Sequence, residues 1–264
     1  MNPAQFLHTH RVFTRAELAA ALDVPGRRSP GTLDSHLTRW GGDGRVRRLR
    51  RGLYVRLAAD RRTAEPVDPY ALAARLAPDA VLGYHTALEL HGLAQSMFSR
   101  FFFVTRTNAR PFRYEGGEYL PVRPRAGVGG AATQLVLVQR EDGPVRVTSV
   151  ERTLVDVLDR PELAGGTEEV WRSLEHLEAL DFAALRDYFE RVARPVLAAR
   201  LGLMLEQHAE RWFVPPALLA DLARQRPRGP VSFDRRRHGC LVTRWNLVVP
   251  PDLLPGKEGE DGDA

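Results

Sequence analysis

Apolar positions along this chain recur in more than one rhythm, and each rhythm predicts an element. Phe6 and Leu7 mark a short helix over residues 3–10. Leu18, Ala21 and Leu22 then fall three to four residues apart, the stripe of a second helix. Thr14 is a favoured N-cap residue, and Glu17 three positions on completes a capping box. Phe13 before the cap and Leu18 inside the helix suit a hydrophobic staple. Pro25 and Gly26 break the helix. A third helix is expected from near Ser29, with Pro30 in the first turn, where its missing N–H costs little. Leu33, Leu37 and Trp40 line one face of it, while Gly31, Ser35 and Thr38, flanked by Thr32 and Arg39, occupy the other. GGDG at 41–44 ends it. From 45 to 57 the period drops to two: Leu53, Val55 and Leu57 alternate with Tyr54 and Arg56. With a turn at Arg50, Arg51 and Gly52, that segment reads as a β-hairpin.

A polar stretch at 58–65 reads as a linker. Asp68 and Pro69 start a helix to about Leu76, a short strand follows at Ala80–Leu82, and Tyr84–His91 is helical until Gly92. Strands are expected at 101–105, 114–122 and 134–139, with Gly116 and Gly117 marking a hairpin turn. In PVRVTSVERTLVDVL a strand runs into a helix, with Thr148 as cap and Glu151 closing a second capping box. Helices are expected over 167–179, 182–193, 195–210 and 215–225, then strands near 230–233 and 240–249. The tail PDLLPGKEGEDGDA reads as disordered. The expected fold class is α+β: a winged helix-turn-helix over 1–60, a larger mixed domain over 61–250 and a tail over 251–264.

Composition narrows the function. No apolar run approaches the roughly 18–20 residues of a membrane span. The first residues lack a long apolar core and a small-residue cleavage site, so a cytoplasmic location is expected. Cys240 is the only cysteine, which excludes an intrachain disulfide and a multi-cysteine zinc site. Net charge is +5, unevenly spread. Residues 1–62 hold thirteen arginines and five acids, or +8; the remainder holds 25 basic and 28 acidic residues, or −3. A basic head on a near-neutral body is the pattern of a nucleic-acid-binding protein. The basic residues are almost all arginine, Lys257 being the only lysine, which also fits a GC-rich coding sequence.

The order helix, capped helix, turn, helix with a polar outer face, and basic hairpin is that of a winged helix-turn-helix that binds double-stranded DNA. A major groove about 12 Å wide admits one helix whose outer side chains are small or polar. Thr32, Ser35, Thr38 and Arg39 are the expected base-edge contacts. Arg27 and Arg28 would hold phosphate near the helix N-terminus. Arg45, Arg47, Arg48, Arg50, Arg51 and Arg56 would grip the backbone, although a strand cannot turn all six to one side. The competing interpretation is a protein-interaction module with a solvated charged face.

LRRGLYV at 49–55, DPYALAARLAPDAVLGYHTALELHGL at 68–93 and TSVERTLVDVL at 148–158 together resemble the AbiEi family of antitoxins. The resemblance runs from the N-terminal segment to about residue 160. It implies an N-terminal winged helix-turn-helix, repression of the protein's own operon through inverted repeats, and a C-terminal antitoxin domain. It also implies antagonism of a nucleotidyltransferase-like toxin without a stable complex, in a type IV toxin–antitoxin system. Arg50 and Arg51 fall in the motif's wing. An orphan regulator without a toxin is the alternative within the same class.

Enzyme signatures are weak. His85 and His91 are six residues apart and do not share a helix face, whereas His85 and Glu89 do. No metal site or cofactor is expected. Arg152 and Asp156 can pair as i, i+4 neighbours, with Leu154, Val155 and Leu158 in the core. There is no P-loop and no dinucleotide fingerprint. A DNA-processing enzyme with an unrecognised site remains the alternative from another class. Arg235, Arg236 and Arg237 form a second basic cluster, either a solvated turn or an added phosphate contact.

Overall fold

Helices and strands alternate irregularly along the chain, which makes the fold α+β with several sheets. The computed structural model describes residues 2–22, 30–58, 66–128, 133–234 and 237–254. The first elements are α1 (Pro3–Thr9), β1 (Val12–Thr14), α2 (Arg15–Leu22), α3 (Pro30–Gly42), β2 (Val46–Arg50) and β3 (Leu53–Arg56). Next come α4 (Pro69–Ala74), β4 (Val81–Leu82), α5 (His85–Leu90), β5 (Arg100–Val104), β6 (Phe112–Tyr114), β7 (Gly117–Val122), β8 (Leu135–Val138) and β9 (Val145–Thr148). The last are α6 (Val150–Asp159), α7 (Thr167–Glu175), α8 (Phe182–Val192), α9 (Pro195–Gln207), α10 (Ala209–Trp212), α11 (Pro216–Gln225), β10 (Val231–Ser232), β11 (Cys240–Val242) and β12 (Leu247–Val249). No helix among the described residues is long and apolar enough to cross a membrane.

Two compact units result, and their limits differ from a division near residue 60. One comprises Met1–Leu82, Ser99–Arg123 and Val136–Val147; the other comprises Gly83–Phe98, Pro124–Leu135 and Thr148–Ala264. The linker expected at 58–65 lies almost wholly outside the described residues, as does the tail beyond 254; at its start Pro251–Leu253 form a 3-10 turn with Leu253 buried, where disorder was expected.

In the first unit, α1, α2 and α3 enclose a small core of Phe6, Leu7, Phe13, Leu18, Leu22, Trp40 and Val46. Asn2 caps α1 through a capping box with Gln5 that the periodicity did not flag. At α2 the expected box is present: the Glu17 carboxylate accepts from the Thr14 N–H at 2.7 Å, and Thr14 Oγ1 accepts from the Glu17 N–H at 3.1 Å. Residues 12–14 form a strand that the alternation had not predicted. Three residues are too few to show a period, and β1 exists by pairing antiparallel with β3 in the order β1-β3-β2. Gly52, at φ 78°, turns β2 into β3.

The same unit holds a mixed sheet in the order β6-β7-β5-β4-β9-β8. Its hairpin turn corrects the expectation at Gly116 and Gly117. Tyr114 pairs with Gly117, so the turn residues are Glu115 and Gly116, at φ 46° and 79°. Two successive positive φ values are what a two-residue hairpin of the right twist requires. Asp142 ties β1 down, its buried carboxylate accepting from the backbone N–H groups of Arg11 and Val12.

The second unit is built on α6, whose residues 152–158 are all buried. The helices α8, α9 and α11 pack with it over a core that includes Leu154, Tyr188, Met204 and Trp245. A small sheet, β10-β12-β11, completes it. The N-cap of α6 corrects the sequence expectation. Ser149, not Thr148, accepts from the Arg152 N–H at 3.3 Å. Thr148 is the last residue of β9, and its hydroxyl pairs with that of Thr153 at 2.6 Å. Glu151 accepts from the Asp181 N–H instead of closing a capping box.

Candidate nucleic-acid interface

The stripe Leu33, Leu37 and Trp40 packs α3 against α1 and α2, with Trp40 1 % exposed. An exposed ion pair joins the two later helices, Arg15 donating to both carboxylate oxygens of Asp34 at 3.1–3.2 Å. An exposed pair is worth little energy, about 0–1 kcal/mol. With the apolar stripe turned inward, the opposite face is outward: Ser35, Thr38 and Arg39 are exposed. Arg39 lies against the His36 ring at 3.5 Å. Arg27, Arg28 and the side chain of Thr32 lie outside what is described.

The six hairpin arginines separate into two groups. Arg45, Arg48 and Arg51 are exposed, with Arg48 also reaching the carbonyl of Arg50 at 3.3 Å. The other three are engaged by the protein. Arg47, itself exposed, donates to the Tyr114 hydroxyl at 2.6 Å and lies over that ring, 5.4 Å from its centre. Arg50 is half-buried, donates to the Leu76 carbonyl and lies 6.0 Å from the Phe112 ring centre. Burial lowers its pKa from the ordinary arginine value. Arg56 donates to the Leu7 and His8 carbonyls at 2.8 and 2.9 Å, satisfying the open end of α1. A bulge between Arg48 and Arg50 resets the alternation, so the two guanidinium groups take different directions.

Sequence reasoning missed the partners that sort these arginines. Tyr114 and Phe112 stand 67 and 62 positions from the arginines they meet, and no local period links them. It also missed Arg75, which donates to Glu17, to the Ala71 carbonyl and to the Asp142 carbonyl. One signal was available: Glu17 is the only acid in α2.

The second unit contains the other titratable clusters. His85 is fully buried, with Glu89 3.3 Å from Nδ1 and Glu169 3.4 Å from Nε2, and its ring stacks on Phe98. Burial opposes ionisation of Glu169, but the Ser96 hydroxyl and N–H, with His85, hold its pKa below the usual carboxylate value. His91 turns away and donates from Nε2 to the Thr148 carbonyl at 2.7 Å. Among the described residues no group of three or more His, Cys, Asp or Glu side chains is placed to hold a metal ion. Arg152 and Asp156 pair at 3.3 Å, and the Tyr188 hydroxyl donates to Asp156 at 2.8 Å. Burial raises the pKa of Asp156 against the pull of Arg152. Arg237 pairs with Asp252 at 2.6 Å; Arg235 and Arg236 lie outside the described residues.

No family model matches the chain, and no curated protein matches it. Among solved structures, the crystal structure of the RV2827C protein from Mycobacterium tuberculosis is similar, with a TM-score of 0.60 over 93% of this chain and 89% of that one. Sequence identity is 17%, so the likeness is one of fold.

Proposed function

We propose that α1–α3 with the sheet β1-β3-β2 act as a winged helix-turn-helix that binds double-stranded DNA, and that the protein is a transcriptional repressor. One observation carries this reading. The outer face of α3, with Ser35, Thr38 and Arg39 exposed, is fixed by a buried stripe and belongs to the same small fold as exposed Arg45, Arg48 and Arg51. Base edges would be read from α3, and phosphates held by those three arginines. Arg47, Arg50 and Arg56 have protein partners and are better explained as supports of the hairpin.

The motif resemblance at 49–55, 68–93 and 148–158 supports the more specific role of antitoxin in a type IV system. In it the protein represses its own operon at inverted repeats and opposes a nucleotidyltransferase-like toxin. The test is fluorescence anisotropy with the protein's own upstream duplex across a salt series. Log affinity should fall linearly with log salt. The triple variant S35A/T38A/R39A should lose discrimination between that duplex and one of scrambled sequence. Binding indifferent to salt, or unchanged discrimination, would overturn the DNA reading. For the antitoxin role, co-expression with an adjacent nucleotidyltransferase-like reading frame should restore growth.

A further inference from the structure

The first unit contains an open cleft of about 760 Å³, in the size range of small-molecule sites. The start of α2, the β2–β3 turn, the end of α4 with residues 75–78, and the start of β9 all line it. Its charge is one-sided. Arg15, Arg50, Arg51, Arg75 and Arg146 line it against one carboxylate, Glu17. Glu17 is already neutralised: Arg75 pairs with it at 3.0 Å, and the Thr14 N–H and hydroxyl both donate to it. Arg15 pairs with Asp34. Among the described residues Arg50, Arg51 and Arg146 have no carboxylate within salt-bridge distance. Arg50 and Arg146 rest on the Leu76 and Pro78 carbonyls. Asp79 attracts Arg146 only at longer range, its carboxylate being engaged by the Thr105 hydroxyl and the Arg106 N–H.

We propose that this cleft binds a phosphorylated small molecule of nucleotide size. Guanidinium forks match phosphoryl oxygens in pairs. Apart from Thr14 and Gly52, the remaining lining is alanine, leucine, valine and proline, which gives apolar cover to a ring or ribose. A phosphodiester backbone has no use for such cover, so the chemistry favours a free ligand over a duplex. The inference shares Arg51 with the DNA reading and differs from it in Arg146 and the segment 74–78, which that reading does not use.

Isothermal titration of the full chain with ADP and with inorganic pyrophosphate tests it. Saturable one-to-one binding of ADP is expected, and R51Q/R146Q should weaken it at least tenfold while still unfolding in a single cooperative transition. The control R110Q/R228Q removes the same charge from exposed positions elsewhere and should leave binding within twofold. Absence of binding by either probe, or equal weakening by both double variants, would overturn the site. So would full loss of ADP binding in R51Q with none in R146Q, which would assign the phosphate contact to the hairpin turn and not to the cleft. Failure of the unsubstituted chain to bind ADP and pyrophosphate, with duplex recognition intact, would sink this inference alone.

Discussion

Arg56 and Arg51 are five positions apart in one basic run, yet they do different work. Arg56 satisfies the Leu7 and His8 carbonyls at the end of α1, whereas Arg51 is exposed at the turn. Arg56→Ala should therefore destabilise the protein by about 1.5–3 kcal/mol, the range for hydrogen bonds from a charged group. A denaturant titration would show it, and a midpoint equal to wild type would disprove the support role. Arg51→Ala should leave that midpoint alone, weaken duplex binding for all sequences alike, and reduce the salt slope by about 1. Arg39→Ala should differ again, costing about 1–3 kcal/mol against the preferred sequence only. An anisotropy series over matched and scrambled duplexes separates the two.

At the scale of elements, close approach sets tolerances. Gly202 in α9 lies under Trp245, and a Cβ there would come within 2.1 Å of the indole. Gly202→Ala should cost about 1–3 kcal/mol through overpacking, although alanine is the better helix former. Thermal unfolding checks it; a stabilised variant would show that the indole can move. The cap of α6 makes a second case. Ser149→Ala should cost about 1 kcal/mol. Both Thr148 and Ser149 carry hydroxyls suited to a cap, and neighbouring residues could not say which. The answer lies in how far β9 runs: Thr148 is buried as its last residue, and its hydroxyl is taken by Thr153. The same kind of contact made β1 a strand and put Glu115, rather than Gly117, into the hairpin turn.

Across the whole molecule, charge is what responds to conditions. The folded protein lowers the pKa of Glu169, so the stability this carboxylate adds is present above the unfolded glutamate value of about 4.3 and is lost as pH falls through the folded value. Glu169→Gln should melt at a lower temperature than wild type at pH 7, and the gap should narrow toward pH 3. Melting curves at both pH values test this, and a constant gap would mean that the side chain acts by packing alone.

Helices, capping at Thr14, the basic hairpin and the docking stripe of α3 were legible from residues alone, because periodicity and caps act within a few positions of the chain. The α+β class followed from the same local signals. What the residues could not determine is which arginines engage distant parts of the fold. Tyr114 takes up Arg47, Leu76 takes up Arg50, and Asp142 holds the backbone of Arg11 from 131 positions away. Such pairings depend on which surfaces packing brings together, and a guanidinium and its distant acceptor leave no shared pattern in the chain. The tertiary structure alone thus decided the division of the basic run into supports and exposed cations, along with the arginine-lined cleft beside α2.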